Sequence, residues 1–107
     1  MAALTKVAAE ALLSKIKKVL GVTGTFNDDA IGVLITDVKY YLVDAGVNET
    51  AVNSEAAVGV IARGVADLWN LGSGTVNLSP YFMERAAQLA LSYPSWKELA
   101  HEEAADV

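Results

Sequence analysis

The stretch Glu55–Leu71, reading EAAVGVIARGVADLWNL, constrains the fold more than any other part of the chain. It is the most apolar run in the sequence, yet it carries an Arg, an Asp and two Gly. At 100° per residue, Ala57, Val58, Ile61, Ala62, Val65, Leu68 and Trp69 fill a wide arc. Arg63, Asp67 and Asn70 share a narrow polar strip, with the small residues Ala56, Gly59 and Ala66 beside it. A helix that is apolar over most of its circumference is a buried one, so this stretch predicts a central helix with a small domain packed around it.

A chain of 107 residues holds one core, and 1–107 reads as a single domain. Hydrophobic residues make up 53% and charged residues 20%, which excludes a disordered chain. It also leaves more apolar surface than one small core absorbs, a first hint of self-association. There is no Cys, so disulfides and thiolate metal sites are excluded. Lys and Glu interrupt the N-terminal run too often for a signal peptide, and no uncharged apolar run reaches ~18 residues. The expectation is a soluble protein made inside the cell, with no membrane contact.

The net charge of −5 is unevenly spread. Residues 1–20 carry Lys6, Lys15, Lys17 and Lys18 against Glu10, and every later part of the chain is acidic. An acidic whole argues against binding by phosphate neutralisation. The Lys cluster reads as the solvated face of a first helix.

That helix is predicted over 5–20 after an extension at 1–4. Ala8, Ala9, Leu12, Leu13, Ile16, Val19 and Leu20 lie on one side, Thr5 is its N-cap and Gly21 its C′ residue. A second helix is predicted over 29–45, capped by Asn27 or Asp28 and ended by Gly46, with an inward stripe of Ile31, Leu34, Ile35, Val38, Tyr41, Leu42 and Ala45. Its opposite side groups Val33, Thr36, Tyr40 and Val43 between Asp37 and Asp44 on one flank and Lys39 on the other. Either these are scattered surface apolars, or they form a second contact face between subunits.

Residues 48–52 read as a turn or a single helical turn, Asn53 or Ser54 as the cap of the central helix, and Gly72 as its end. Residues 72–78 then form a flexible loop, whose GSG lacks the Lys-Ser/Thr of a phosphate loop. Ser79-Pro80 restarts the chain as a helix, with Ser at N-cap and Pro at N1. Phe82, Met83, Ala86, Leu89 and Ala90 face inward. Ser95 to Glu98 has capping-box spacing and predicts a short acidic helix over about 96–105 within a tail of 95–107. No stretch alternates long enough to predict a strand. The fold class expected is all-α: four main helices and a short C-terminal one.

The chemistry-bearing inventory is poor, and no catalytic, cofactor-binding or metal-ligating set emerges. His101, the only His, stands beside Glu102 and Glu103 and reads as a titrating surface group. Asp28-Asp29 reads as helix capping rather than acid–base work. Ser73, Ser79 and Ser95 have no base or nucleophile elbow nearby. Arg63 and Asp67 are i, i+4 and can touch, in the less favourable order; Arg63 either meets a carboxylate inside its own domain or reaches into a neighbouring subunit. Gly59 is either kept for close packing of another helix or neutral.

The run from Ala57 to Asn70, followed by GSG and Leu78-Ser79-Pro80-Tyr81-Phe82, resembles the small head–tail connector proteins of tailed bacteriophages. The upstream LLSKIKKVLGVTGTFNDDAIGVLITDVKYYLVDAGV is similar to that family's first two helices, and the likeness spans residues 12–91. The sequence type looks like those of long-tailed phages and prophages of Gram-positive bacteria. The resemblance implies a non-enzymatic adaptor, or head-completion protein. It would assemble as a ring, commonly of about twelve copies, beneath the portal after DNA packaging. There it would extend the DNA channel and receive the stopper or tail-completion protein.

Its implied partners are further copies of itself, the portal and the stopper, with DNA passing through without sequence-specific binding. It would reside in the virion, and in the host cytoplasm during assembly. Val33, Tyr40, Val43, Gly59, Arg63, Asp67 and Asn70 are the expected subunit-boundary residues. Ser73 and Thr75 in the loop, and Trp96 and His101 in the tail, would face adjacent virion proteins. The alternative is a small-terminase-like or regulatory DNA-binding helical protein that uses Lys6, Lys15, Lys17 and Lys18.

Overall fold

Two glycines at positive φ divide the first half of the chain into its helices. A computed structural model describes residues 3–69 and 78–102, with side chains for 4–69 and 78–100. The chain runs through β1 (Ala3–Thr5), α1 (Ala9–Leu20), α2 (Asp28–Asp44), a one-turn α3 (Glu49–Val52), a 3-10 turn (Glu55–Ala57) leading into α4 (Val58–Trp69), α5 (Pro80–Ser92) and β2 (Ala100–Glu102). Gly21 (φ 74°) ends α1, the N–H of Val22 reaching the carbonyl of Lys17 at 3.0 Å. Gly46 (φ 102°) does the same for α2, the N–H of Val47 reaching the carbonyl of Leu42 at 3.0 Å. These i to i−5 closures are Schellman ends, which need a left-handed residue that only Gly supplies without strain.

The protein is a small all-α bundle of four principal helices, as its periodicities predict. The central helix is α4, which packs on α1, α2 and α5. Its Val60, Ile61 and Val65 join Ile16 of α1, Ile31, Val38 and Leu42 of α2 and Phe82 of α5 in one core, all of them essentially solvent-free. Phe82 also stacks obliquely on Tyr41, ring centroids 5.4 Å apart. Trp69, Leu68 and Val58 are only half-buried, whereas Val60, Gly64 and Ala66, outside the predicted arc, are buried, so the buried face of α4 is displaced from the one the helical wheel suggests. Five residues expected inward, Ala8, Ala9, Val19, Ala45 and Met83, stand exposed instead.

The two chain ends depart from expectation. The first helix begins at Ala9 after Ala8, not at a Thr5 cap. Residues 3–5 instead form β1, in parallel register with residues 100–102, and Leu4 is buried in the core. The helix predicted over 96–105 is absent through residue 102, where a turn leads to β2.

Asn48 accounts for much of this second departure. Its backbone N–H donates to the carbonyl of Tyr93 at 2.7 Å, and its side-chain amide donates to the carbonyls of Pro94 and Lys97. Ser95 N–H in turn donates to the Gly46 carbonyl at 2.8 Å. Half-buried Leu99 packs on the core. Tertiary hydrogen bonds thus replace those a last helix would have made. Strands three residues long leave no alternation to detect.

Candidate functional site

Three helix starts show how the sequence places its polar groups. Asn48 Oδ1 accepts from Thr50 N–H at 2.8 Å and caps α3. Ser54 Oγ accepts from Ala56 N–H at 3.1 Å at the entry to α4. Ser79 Oγ accepts from Phe82 N–H at 3.1 Å at the start of α5. Such caps are each worth about 1 kcal/mol. At α2 the expected Asn27 stands at the cap position without a side-chain hydrogen bond. Asp28 carries the polar contact there, pairing with Lys17 Nζ at 2.7 Å, and that ammonium also donates to the Gly24 carbonyl. Lys17 therefore ties down the α1–α2 loop rather than belonging to a free basic face; Lys6, Lys15 and Lys18 are exposed.

On α4, Arg63 and Asp67 meet at 3.2 Å within one chain. The guanidinium side chain keeps 43% of its surface open to solvent and the carboxylate only 10%. Asp67 Oδ2 accepts from both Ser79 N–H, at 2.9 Å, and Ser79 Oγ–H, at 2.7 Å. One buried carboxylate thus holds the N-terminus of α5 on α4, a role that nothing in the local pattern around Asp67 signals. Gly59 is exposed, and a Cβ there would meet nothing within 4 Å. It is not a helix-packing glycine. Gly64 is: a Cβ there would lie 2.7 Å from Phe82 Cε1 and 3.0 Å from Val38 Cγ1.

The outer side of α2 carries Val33, 61% exposed, Tyr40, 67% exposed, and the more shielded Val43. Asp29, Asp37 and Asp44 on the same side are also exposed. The inner stripe of Ile31, Ile35, Val38 and Leu42 is buried. Along one edge of the outer face a shallow groove is lined by Tyr40, Val43, Val52 and Lys39. Lys39 Nζ donates to Asn53 Oδ1 at 2.9 Å, and its burial pulls the ammonium pKa below its ordinary value.

Comparison of the chain with protein-family models, with curated proteins and with solved structures finds no match.

Two further surface grooves flank the central helix pair. One is lined by Val19, Gly59, Ala62, Arg63, Trp69 and Tyr81, between α1, α4 and α5. The other, lined by Gly46, Ala90, Leu91, Pro94 and Trp96, lies where α5 turns into the C-terminal segment. Trp96 is 81% exposed. The expected boundary residues therefore fall on separate surfaces: Val33, Tyr40 and Val43 on α2, Gly59 and Arg63 in the α1–α4–α5 groove, and Trp96 at the far end of α5. Asn70, Ser73 and Thr75 lie outside the described residues, as do most of the 72–78 loop, the end of the central helix at Gly72 and residues 103–107. The backbone of His101 lies in β2, and its side chain is outside the described set.

Among the described residues, no group of three or more His, Asp or Glu is placed to hold a metal ion. No helix among them is long and apolar enough to cross a membrane. Among the described residues, Ser54 and Ser79 cap helices and Asp28 and Asp67 are ion-paired, while the surface grooves combine apolar and charged side chains.

Proposed function

We propose that this chain is a structural adaptor of a tailed-phage virion. It assembles as a ring between the portal and the stopper or tail, extends the DNA channel and completes the head after packaging. The observation that carries the reading is the outer face of α2. It presents Val33, Tyr40 and Val43 to solvent on a domain whose core is already complete without them. Aromatic and branched side chains grouped on one exposed helix face mark a contact surface rather than a stray apolar.

Three features add support. The run through Arg63 and Asp67 to Phe82 resembles the connector family. The net charge of −5 suits a conduit that DNA traverses without being gripped, since like charges repel. Lys17 is paired with Asp28, which leaves the alternative DNA-binding reading with Lys6, Lys15 and Lys18.

Particles made by a phage lacking this protein test the role: they should fail to hold DNA or to acquire tails. Tailed, DNA-filled particles would refute it. In purified form, Tyr40→Asp should abolish ring formation on the portal while leaving the thermal transition within a degree or two, because the residue is 67% exposed. In a gel-shift at moderate salt the protein should not retard DNA; strong, salt-sensitive retardation would favour the DNA-binding alternative.

A further inference from the structure

From the placement of these surfaces we infer that copies of this chain associate head to tail, the outer ridge of α2 on one copy seating in the α1–α4–α5 groove of the next. The inference rests on the self-assembly contained in the adaptor reading and adds the pair of surfaces that performs it.

The geometry begins at the α2–α4 contact. Gly64 of α4 faces Val38 of α2 across it. At 100° per residue, Val33, Tyr40 and Val43 lie roughly 140–160° around α2 from Val38. Gly59, Ala62 and Ala66 lie roughly 140–160° around α4 from Gly64. Ridge and groove therefore open on opposite sides of the same helix pair. A ridge cannot reach its own groove, but it can reach that of a neighbour, and two different patches on opposite sides repeat the same contact from copy to copy. Such heterologous contacts generate rings or open chains, according to the rotation between copies.

Shape and charge select this pairing over the symmetric ones. The groove has a floor of small residues, Gly59, Ala62 and Ala66, between Val19, Trp69 and Tyr81. A Cβ at Gly59 has no neighbour within 4 Å, so the floor is open to an incoming side chain. The ridge offers Val33 and Tyr40, both well exposed.

The ridge also carries exposed Asp29, Asp37 and Asp44, while Lys39 is turned to Asn53. The groove carries Arg63, ion-paired with Asp67 at 3.2 Å but still 43% exposed, and exposed Lys15 stands one turn before Val19 on the same face of α1. Its exposed acids are Glu55, beyond the Gly59 end, and Glu84, about one turn after Tyr81 and next to exposed Arg85. Ridge against ridge would set the acids of two copies face to face, and groove against groove would oppose Arg63 and Lys15 with their equivalents. Ridge against groove pairs acid with base.

The absence of native Cys allows a directional test. The Val33→Cys chain is converted to its thionitrobenzoate mixed disulfide. The free thiolate of the Gly59→Cys chain then attacks the labelled sulfur and expels thionitrobenzoate, whose release is read by absorbance. Both substitutions are at exposed positions, and unchanged circular dichroism and thermal transitions verify the fold. Groups held in contact react at a millimolar effective concentration, so with micromolar protein the ridge–groove reaction should run about tenfold or more faster than labelled Val33→Cys with unlabelled Val33→Cys. It should exceed groove–groove exchange by a similar factor and slow as salt is raised.

A chain carrying both substitutions should yield a ladder of covalent oligomers. Equal rates for the three pairings, or a preference for ridge with ridge, would overturn the inference. The two proposals fail separately: a ridge–groove preference alongside normal tailed particles from the deletion phage retires the adaptor role and leaves the assembly mode standing. Rings that form on the portal without that preference do the reverse.

Discussion

Alanine at the two glycines of the central helix should change stability in opposite directions. Both replacements restore helix propensity, worth about 1 kcal/mol in a helix interior such as Gly64 and somewhat less at Gly59 in the first turn of α4. At Gly59 nothing opposes that gain, because the added methyl has no atom within 4 Å. At Gly64 the methyl would lie 2.7 Å from Phe82 Cε1 and 3.0 Å from Val38 Cγ1. Ordinary contact begins near 3.4 Å, so the ring edge must retreat by about 0.7 Å. It has little room to do so, since Phe82 is fully buried and lies against Tyr41, and Val38 is held in the same core.

Overpacking of this kind costs about 1–3 kcal/mol. The upper half of that range applies here because both obstructing groups are enclosed. After the propensity gain, Gly64→Ala should destabilise by about 1–2 kcal/mol, and Gly59→Ala should stabilise by about 0.5–1 kcal/mol. Urea unfolding followed by circular dichroism measures both, with the midpoint moving at unchanged slope. The melting temperature should separate the two variants by roughly 4 °C or more per kcal/mol of difference. Gly64→Ala as stable as the parent, or Gly59→Ala the less stable of the two, would refute the packing argument.

Asn48→Ala removes a cap and the amide that holds the carbonyls of Pro94 and Lys97. It should cost about 2–4 kcal/mol and speed tryptic cleavage after Lys97 well beyond what the lost global stability explains. Asp67→Ala leaves the Ser79 N–H and hydroxyl without their acceptor and should cost about 1–3 kcal/mol. Asp67→Asn, which keeps an acceptor oxygen, should recover about half of that loss, whereas an unchanged urea midpoint for the Ala variant would remove Asp67 from its positioning role. For Lys39 the folded-state pKa lies below 10.5, lowered by burial. Between that lowered pKa and 10.5 the unfolded chain binds the extra proton, so stability should rise with pH across the window. Differencing the pH profiles of the parent and Lys39→Met isolates this slope, and its absence, or the opposite sign, would remove the burial assignment.

What was legible in the sequence, and what was not, divides along the range of the interaction responsible. Helix ends at Gly21, Gly46 and Ser79 are local: a left-handed Gly or a capping hydroxyl with Pro after it acts within a few residues, and all three stand where the pattern placed them. The inner stripe of α2 is also local, since its period is the period of the helix. The expected last helix failed because Ser95 to Glu98 satisfies a local rule while Asn48, far away in the chain, captures the carbonyls of Pro94 and Lys97. β1 was missed for the same reason, as its partner is at the opposite end of the chain.

The central helix illustrates the limit most clearly. Gly59 and Gly64 stand five residues apart on one helix, the first between Val58 and Val60 and the second between Arg63 and Val65. Only the approach of Phe82 and Val38 makes Gly64 structural and leaves Gly59 free to serve a surface. The same contact settles Arg63 and Asp67. With Phe82 seated against Gly64, Ser79 arrives within 2.9 Å of Asp67, and the carboxylate is fully engaged inside its own chain. Arg63 is held by that same carboxylate at 3.2 Å yet stays partly open to solvent. Its charge is thus fixed in place at the edge of the groove, where a neighbour's acidic ridge can meet it without paying to order a free side chain.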